Sequence, residues 1–152
     1  MLIKKDNLES GEVVQLLEEH LADMYATSPP ESVHALDVES LKDPAITFFS
    51  AWEGNVLMGC VAIKQLSNYH AELKSMRTPA NVRGKGIGSA ILRYVLSYCQ
   101  TKGYIRLSLE TGSMDFFKPA RSLYEKFGFD YCEPFGEYME DSNSQFMTKE
   151  LS

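Results

Sequence analysis

The sequence predicts a mixed α/β fold, one sheet with helices packed against it. Three observations carry that reading. Apolar residues recur at helical spacing in several segments, and short β-rich runs bounded by turn residues lie between them. The two kinds of segment then alternate in the order β-α-α-β-β-β-α-β-α-β-β along the whole chain. No repeat, low-complexity tract or linker divides residues 1–152, so a single domain is expected.

Residues 2–5 are a short strand candidate. Ser10-Gly11-Glu12 opens a helix whose apolar positions Val13, Leu17, Leu21 and Met24 share one face. The text then changes: Thr27-Ser28-Pro29-Pro30-Glu31-Ser32 breaks the helix, and a second short helix is expected over 33–41. The irregular 25–44 stretch suits a lid or substrate loop. Runs 46–52 and 56–66, joined by Glu53-Gly54-Asn55, read as a hairpin, and 71–77 as a third strand. A helix follows with Ile87, Ile91, Leu92, Val95, Leu96 and Cys99 on one side, stopped by Lys102-Gly103. After a strand over 104–110, Pro119 is expected at the first position of a helix. It turns Ala120, Leu123, Tyr124 and Phe127 inward and stops at Gly128; strands 129–132 and 145–151 close the chain.

Composition excludes several functions. With 15 basic against 21 acidic residues the net charge is −6, which argues against a nucleic-acid partner. Cys60, Cys99 and Cys132 match no zinc spacing, and an odd number matches no disulfide framework, so buried reduced thiols and no metal are expected. No apolar run approaches the ~18 residues of a membrane span, nor does the start resemble a signal segment. A cytoplasmic protein without a membrane partner is expected.

Val82-Arg83-Gly84-Lys85-Gly86-Ile87-Gly88-Ser89 is the most specific stretch. Three glycines at the mouth of a helix expose backbone N–H groups in one concavity, beside the positive end of the helix dipole. Arg83 and Lys85 add charge, so the site suits a diphosphate. The dinucleotide pattern G-x-G-x-x-G fails in both frames, because the third glycine would be Ser89 or Ile91. The nucleoside-triphosphate loop fails as well, because Gly86 follows Lys85 where Ser or Thr is required.

Arg83-x-x-Gly86-x-Gly88, after a run ending Met76-Arg77-Thr78, resembles the motif with which GCN5-related N-acetyltransferases hold the pyrophosphate of acetyl-coenzyme A. Ala120-x-x-x-Tyr124-Glu125-x-x-Gly128-Phe129 resembles the second motif of that superfamily. Phrases 29–37, 109–117 and 144–148 are similar to a bacterial YsnE-like subgroup, so the resemblance covers the whole chain. It implies a mostly antiparallel central sheet of six or seven strands, flanked by about four helices. It also implies acetyl-coenzyme A as cosubstrate, bound by Met76, Arg77, Thr78, Arg83, Gly84, Lys85, Gly86, Ile87, Gly88, Ser89, Phe117 and Ala120. The partner is a small-molecule amine, and a homodimer is one assembly common in the family. One departure stands out: where the family often has Asn seven residues before the tyrosine, this chain has Phe117.

Acetyl transfer to an amine needs a neutral nucleophile, a polarised carbonyl and a protonated leaving group. At a lysine-like pKa of ~10.4, only about one amine in 2,500 is neutral at pH 7, so a base is useful. Glu72 and Glu110 fall where family members place such bases, with Glu72 narrowly preferred. Strand alternation puts Glu72, Lys74 and Met76 on one face of their strand, and Ser108 and Glu110 on one face of theirs. By the resemblance, Tyr124 lies beside the cofactor sulfur and protonates the leaving thiolate, and a main-chain N–H near Met76 polarises the carbonyl. His34 and Arg77 are substrate-binding candidates, Arg77 through a substrate carboxylate. His20 reads as a helix-surface residue, and 138–143 as a solvated turn bordering the acceptor pocket. The competing reading is a coenzyme A-binding or sensing domain without transferase activity.

Overall fold

The architecture comes from a computed structural model, which describes residues 1–151. Its elements are β1 (Leu2–Lys5), α1 (Gly11–Thr27), β2 (Ile46–Glu53), β3 (Val56–Gln65), β4 (His70–Arg77), α2 (Ile87–Thr101), β5 (Arg106–Gly112), α3 (Lys118–Lys126), β6 (Asp130–Cys132) and β7 (Ser144–Glu150). The strands form one seven-stranded sheet in the order β1-β2-β3-β4-β5-β7-β6. Every neighbouring pair is antiparallel except β4 with β5, which are joined through α2. A parallel pair needs such a crossover, and α2 supplies it.

Alternation along the strands sorts the core into two layers. Phe49, Ala51, Val61, Ile63, Ala71, Leu73, Leu107 and Leu109 pack with Ile91, Leu92, Val95 and Cys99 of α2 and Tyr124 of α3. Phe48, Cys60 and Ala62 point the other way and pack with Val13, Leu16 and Leu17 of α1. Thus α1 covers one face of the sheet, while α2 and α3 cover the other.

Among the described residues three α-helices flank the sheet, and the expected helix over 33–41 does not form. Two single 3-10 turns, Pro30–Ser32 and Ser40–Lys42, bracket irregular backbone instead. The Asp37 carboxylate accepts the Ser40 N–H at 2.8 Å and so caps only the single turn at Ser40–Lys42, while the Ser32 hydroxyl donates to the distant Asp141 and holds the start of the segment away from a helix. Helix α1 ends at Thr27, where the Thr27–Ser32 stretch is expected to break it, and Thr27 Oγ1 donates back to the Asp23 carbonyl at 2.7 Å. In α3, Lys118 comes first and Pro119 second, a position that still requires no N–H donor.

Candidate active site

The site begins where β4 and β5 part. Their pairing runs from His70 opposite Arg106 to Leu73 opposite Leu109, and goes no further. On its other side β4 carries a bulge: Cys60 faces Arg77 but Ala62 faces Lys74, so three steps on β4 match two on β3. The extra residue is accommodated by Ser75, a non-glycine held at φ 52°. The two strands splay around a cleft of about 580 Å³ that reaches both faces of the sheet.

The bulge corrects one expectation. Glu72 and Lys74 share a face, but Met76 does not join them, because one inserted residue inverts the alternation beyond it. Met76 packs into the α2/α3 layer and places its sulfur 3.9 Å from the Tyr124 hydroxyl. In-register pairing of Glu72 with Ser108 keeps Glu110 on the same side as Glu72, towards α1.

At one end of the cleft the glycine-rich turn leads into α2. Gly84 and Gly86 have φ of 81° and 78°, left-handed values that glycine adopts without a Cβ penalty. The first helical hydrogen bond runs from the Ala90 N–H to the Gly86 carbonyl at 3.1 Å. Ahead of it, the N–H groups of Ile87, Gly88 and Ser89 face the helix mouth without an i−4 partner. Gly88 sits tight against α3, where an added Cβ would lie 3.1 Å from Leu123 Cδ2. Arg83, Gly84, Gly86, Ile87, Gly88 and Ser89 line the cleft together with Met76, Arg77 and Thr78. Lys85 is exposed and lies outside that lining.

The middle of the cleft is walled by Phe117, Ala120 and Tyr124. Phe117 is buried against the end of β5, so close that a Cβ on Gly112 would overlap its ring. Arg121 reinforces the junction by donating to the Gly112 and Met114 carbonyls at 2.6 and 3.0 Å. The Tyr124 phenol is 7% exposed, and burial pushes its pKa well above the ordinary value. Its one acceptor, the Met76 thioether, is weak, so the proton remains available to a better base.

Towards α1 the lining turns polar. Glu72, 2% exposed, accepts from the Tyr138 hydroxyl and from Lys74 Nζ at 3.2 Å, and Lys74 also donates to the Tyr138 oxygen at 2.8 Å. The 138–143 turn is therefore not simply solvated. Tyr138 is half-buried, packs on Phe135 and Phe146, and has its phenol pKa pushed up by burial and by Glu72. An aromatic residue within an otherwise polar loop was the available signal. Glu110 is the more open carboxylate; its Oε2 accepts from Ser144 Oγ at 2.7 Å and meets His34 Nδ1 at 3.1 Å.

His34 thus lines the cleft, held from the 25–44 segment. Arg77 is placed otherwise than a carboxylate-binding role requires. Its guanidinium is paired with Asp23 of α1 at 2.8 Å, with the side chain 10% exposed. His20 is no surface residue: it lines the cleft, and burial together with nearby Arg77 lowers its pKa to about 4. Neither His20 nor Asp23 carried a signal in a helix read only for its apolar stripe.

A splayed parallel pair, a glycine turn at a helix mouth and a buried tyrosine thus meet in one cleft. A family model described as "Acetyltransferase (GNAT) family" matches residues 13–129, and the chain belongs to that family. It is 56% identical to "Uncharacterized N-acetyltransferase YsnE" of Bacillus subtilis over 99% of this chain and 100% of that protein. It is 38% identical to "IAA acetyltransferase" of Azospirillum brasilense, covering 91% and 90% of the two chains. Among solved structures, a putative acyl-CoA N-acyltransferase of Klebsiella pneumoniae superposes with TM-score 0.79 at 21% identity, over 99% of this chain and 97% of that one. A GNAT acetyltransferase of Elizabethkingia anophelis with acetyl-CoA bound superposes at 0.68 and 20% identity, over 99% and 97%. The protein is an acetyltransferase.

Proposed function

We propose that this enzyme transfers the acetyl group of acetyl-coenzyme A to the amine of a small-molecule or amino-acid-like acceptor, by direct attack within a ternary complex. One observation carries the proposal: the β4/β5 splay opens a single cleft with anion-binding amides at one end, a phenol in the middle and carboxylates at the other. The diphosphate would rest on the amides of Ile87, Gly88 and Ser89, with Arg83 adding charge. The pantetheine arm would pass along Ala120 and Phe117, apolar contact replacing the polar one expected of an asparagine. The relative solved with acetyl-CoA supports this donor.

The acceptor nitrogen attacks the thioester carbonyl, whose oxygen the main chain near Met76 can polarise. The C–S bond breaks, and the thiolate takes the Tyr124 proton. A phenol with a raised pKa still serves here, because the same desolvation makes the buried thiolate more basic. The proton lost by the amine passes to the carboxylate side of the cleft. Of the two carboxylates there, Glu110 is the one that opens on the cleft, whereas Glu72 lies within a closed ring of Lys74 and Tyr138.

A covalent acetyl-cysteine route is disfavoured chemically. Burial pushes the Cys60 and Cys99 thiols up to about 12, and none of the three cysteines lines the cleft.

The test is release of free coenzyme A thiol from acetyl-coenzyme A across a panel of amines, amino acids and short peptides. Turnover on at least one acceptor, with intersecting double-reciprocal lines, is expected. Tight coenzyme binding without turnover on any amine would overturn the catalytic part of the proposal, and parallel lines would overturn direct attack.

A further inference from the structure

We infer that His34 is the group that takes the acceptor's proton, and that Glu110 is a positioning residue acting through it. This rests on the acetyl-transfer reading above.

The geometry separates the two side chains by role. Glu110 Oε2 already holds two contacts, the Ser144 hydroxyl at 2.7 Å and His34 Nδ1 at 3.1 Å, and its side chain is 14% exposed. The His34 side chain, 33% exposed, lines the same cleft. A carboxylate that accepts from Nδ1–H fixes the neutral tautomer whose Nε2 carries the free lone pair. That is the arrangement a general base requires, an acceptor nitrogen whose ring is oriented by a third group. The Ser144 hydroxyl holds the carboxylate, and the Tyr138 ring braces the imidazole edge-on, 5.1 Å between centroids. The backbone carrying His34 is anchored as well: Ser32 donates to Asp141, and Asn143 Nδ2 donates to Ser32 Oγ at 3.4 Å.

In the step itself, the amine lone pair forms the N–C bond and the electrons of the C–S bond leave on sulfur. His34 Nε2 takes the proton shed by nitrogen, and Tyr124 supplies the proton taken by sulfur. Both residues are restored by exchange with solvent.

Two measurements decide the matter. In the resting enzyme, ¹⁵N spectra of the histidine rings should show His34 as the Nδ1–H tautomer, and Glu110→Gln should abolish that preference; an Nε2–H tautomer would overturn the inference. In thiol-release assays with acetyl-coenzyme A and tyramine, His34→Gln should lower kcat about 100-fold or more while leaving the KM for acetyl-coenzyme A unchanged. Glutamine can still donate to Glu110, so the packing link survives while the base does not. His34→Ala should recover activity when free imidazole is added. A His34→Gln enzyme within threefold of wild type would sink the idea. A wild type inert towards tyramine and every other amine would instead remove the acetyl-transfer reading, and the tautomer would then decide whether the pair exists.

Discussion

Arg77 at the end of β4 and Asp23 on α1 form an ion pair at 2.8 Å, and this contact ties the helix to the splayed edge of the cleft. Arg77 is nearly enclosed while Asp23 is 40% exposed, so the pair lies between the surface and buried limits. Asp23→Asn should therefore cost about 1–3 kcal/mol, measured by urea unfolding, since it leaves a largely enclosed guanidinium short of its counter-charge. An unchanged unfolding midpoint would show that solvent already screens the pair.

The same guanidinium acts on His20, whose pKa falls to about 4 chiefly through burial and secondarily through Arg77. The folded protein binds this proton less readily than the unfolded chain, in which a histidine has its ordinary value of 6.5. Stability should thus be unaffected above pH 6.5, decline as pH falls from about 6.5 to 4, and lose on the order of 2–3 kcal/mol from this group. Urea midpoints at pH 7 and 4.5 should converge in His20→Asn relative to wild type. An equal drop in both proteins would assign acid sensitivity elsewhere.

Tyr124→Phe should reduce kcat by about 10²-fold or more, with little change in fold, because the ring remains in the core while the proton donor is lost. The profile across pH 6–9 is the measurement that matters. If the variant matched wild type throughout, another group would protonate the thiolate.

Two glycines should fail for opposite reasons. Gly86→Ala meets open space but must hold φ 78°, so its cost of about 1–2 kcal/mol is conformational, and acetyl-coenzyme A should bind more weakly. Gly112→Ala meets the Phe117 ring directly and should cost about 1–3 kcal/mol through overpacking. Adding Phe117→Leu should relieve the second and leave the first untouched. Thermal melts of the four variants, with and without acetyl-coenzyme A, separate the two mechanisms.

Much of the site was readable because its residues announce their conformation. Glycines at 84, 86 and 88 declare a cradle at a helix mouth, and Tyr124 stands in a motif with a recognisable frame. What escaped reading depends on partners distant in the chain. Nothing local marks Tyr138 as a partner of Glu72, or Asp23 as a partner of Arg77, and a polar loop or a helix flank reads as solvated until something is packed on it. The expected second helix failed for a mixed reason: Leu36 and Val38 have apolar character, but Asp37 caps only a single turn at Ser40, and Ser32 bonds to the distant Asp141.

The sequence by itself determined the order of the strands and of three of the four expected helices, the family, and the glycine turn at the mouth of α2, since periodicity and glycine placement are local properties of the chain. Only the tertiary structure decided the polar end of the cleft, towards α1. One inserted residue at Ser75 inverts the alternation of β4, sends Met76 to Tyr124, and leaves Glu72 facing α1. Glu110 and His34 then meet across 76 positions of sequence. Strand phase and side-chain pairing of that kind arise from packing between elements, which no local pattern records.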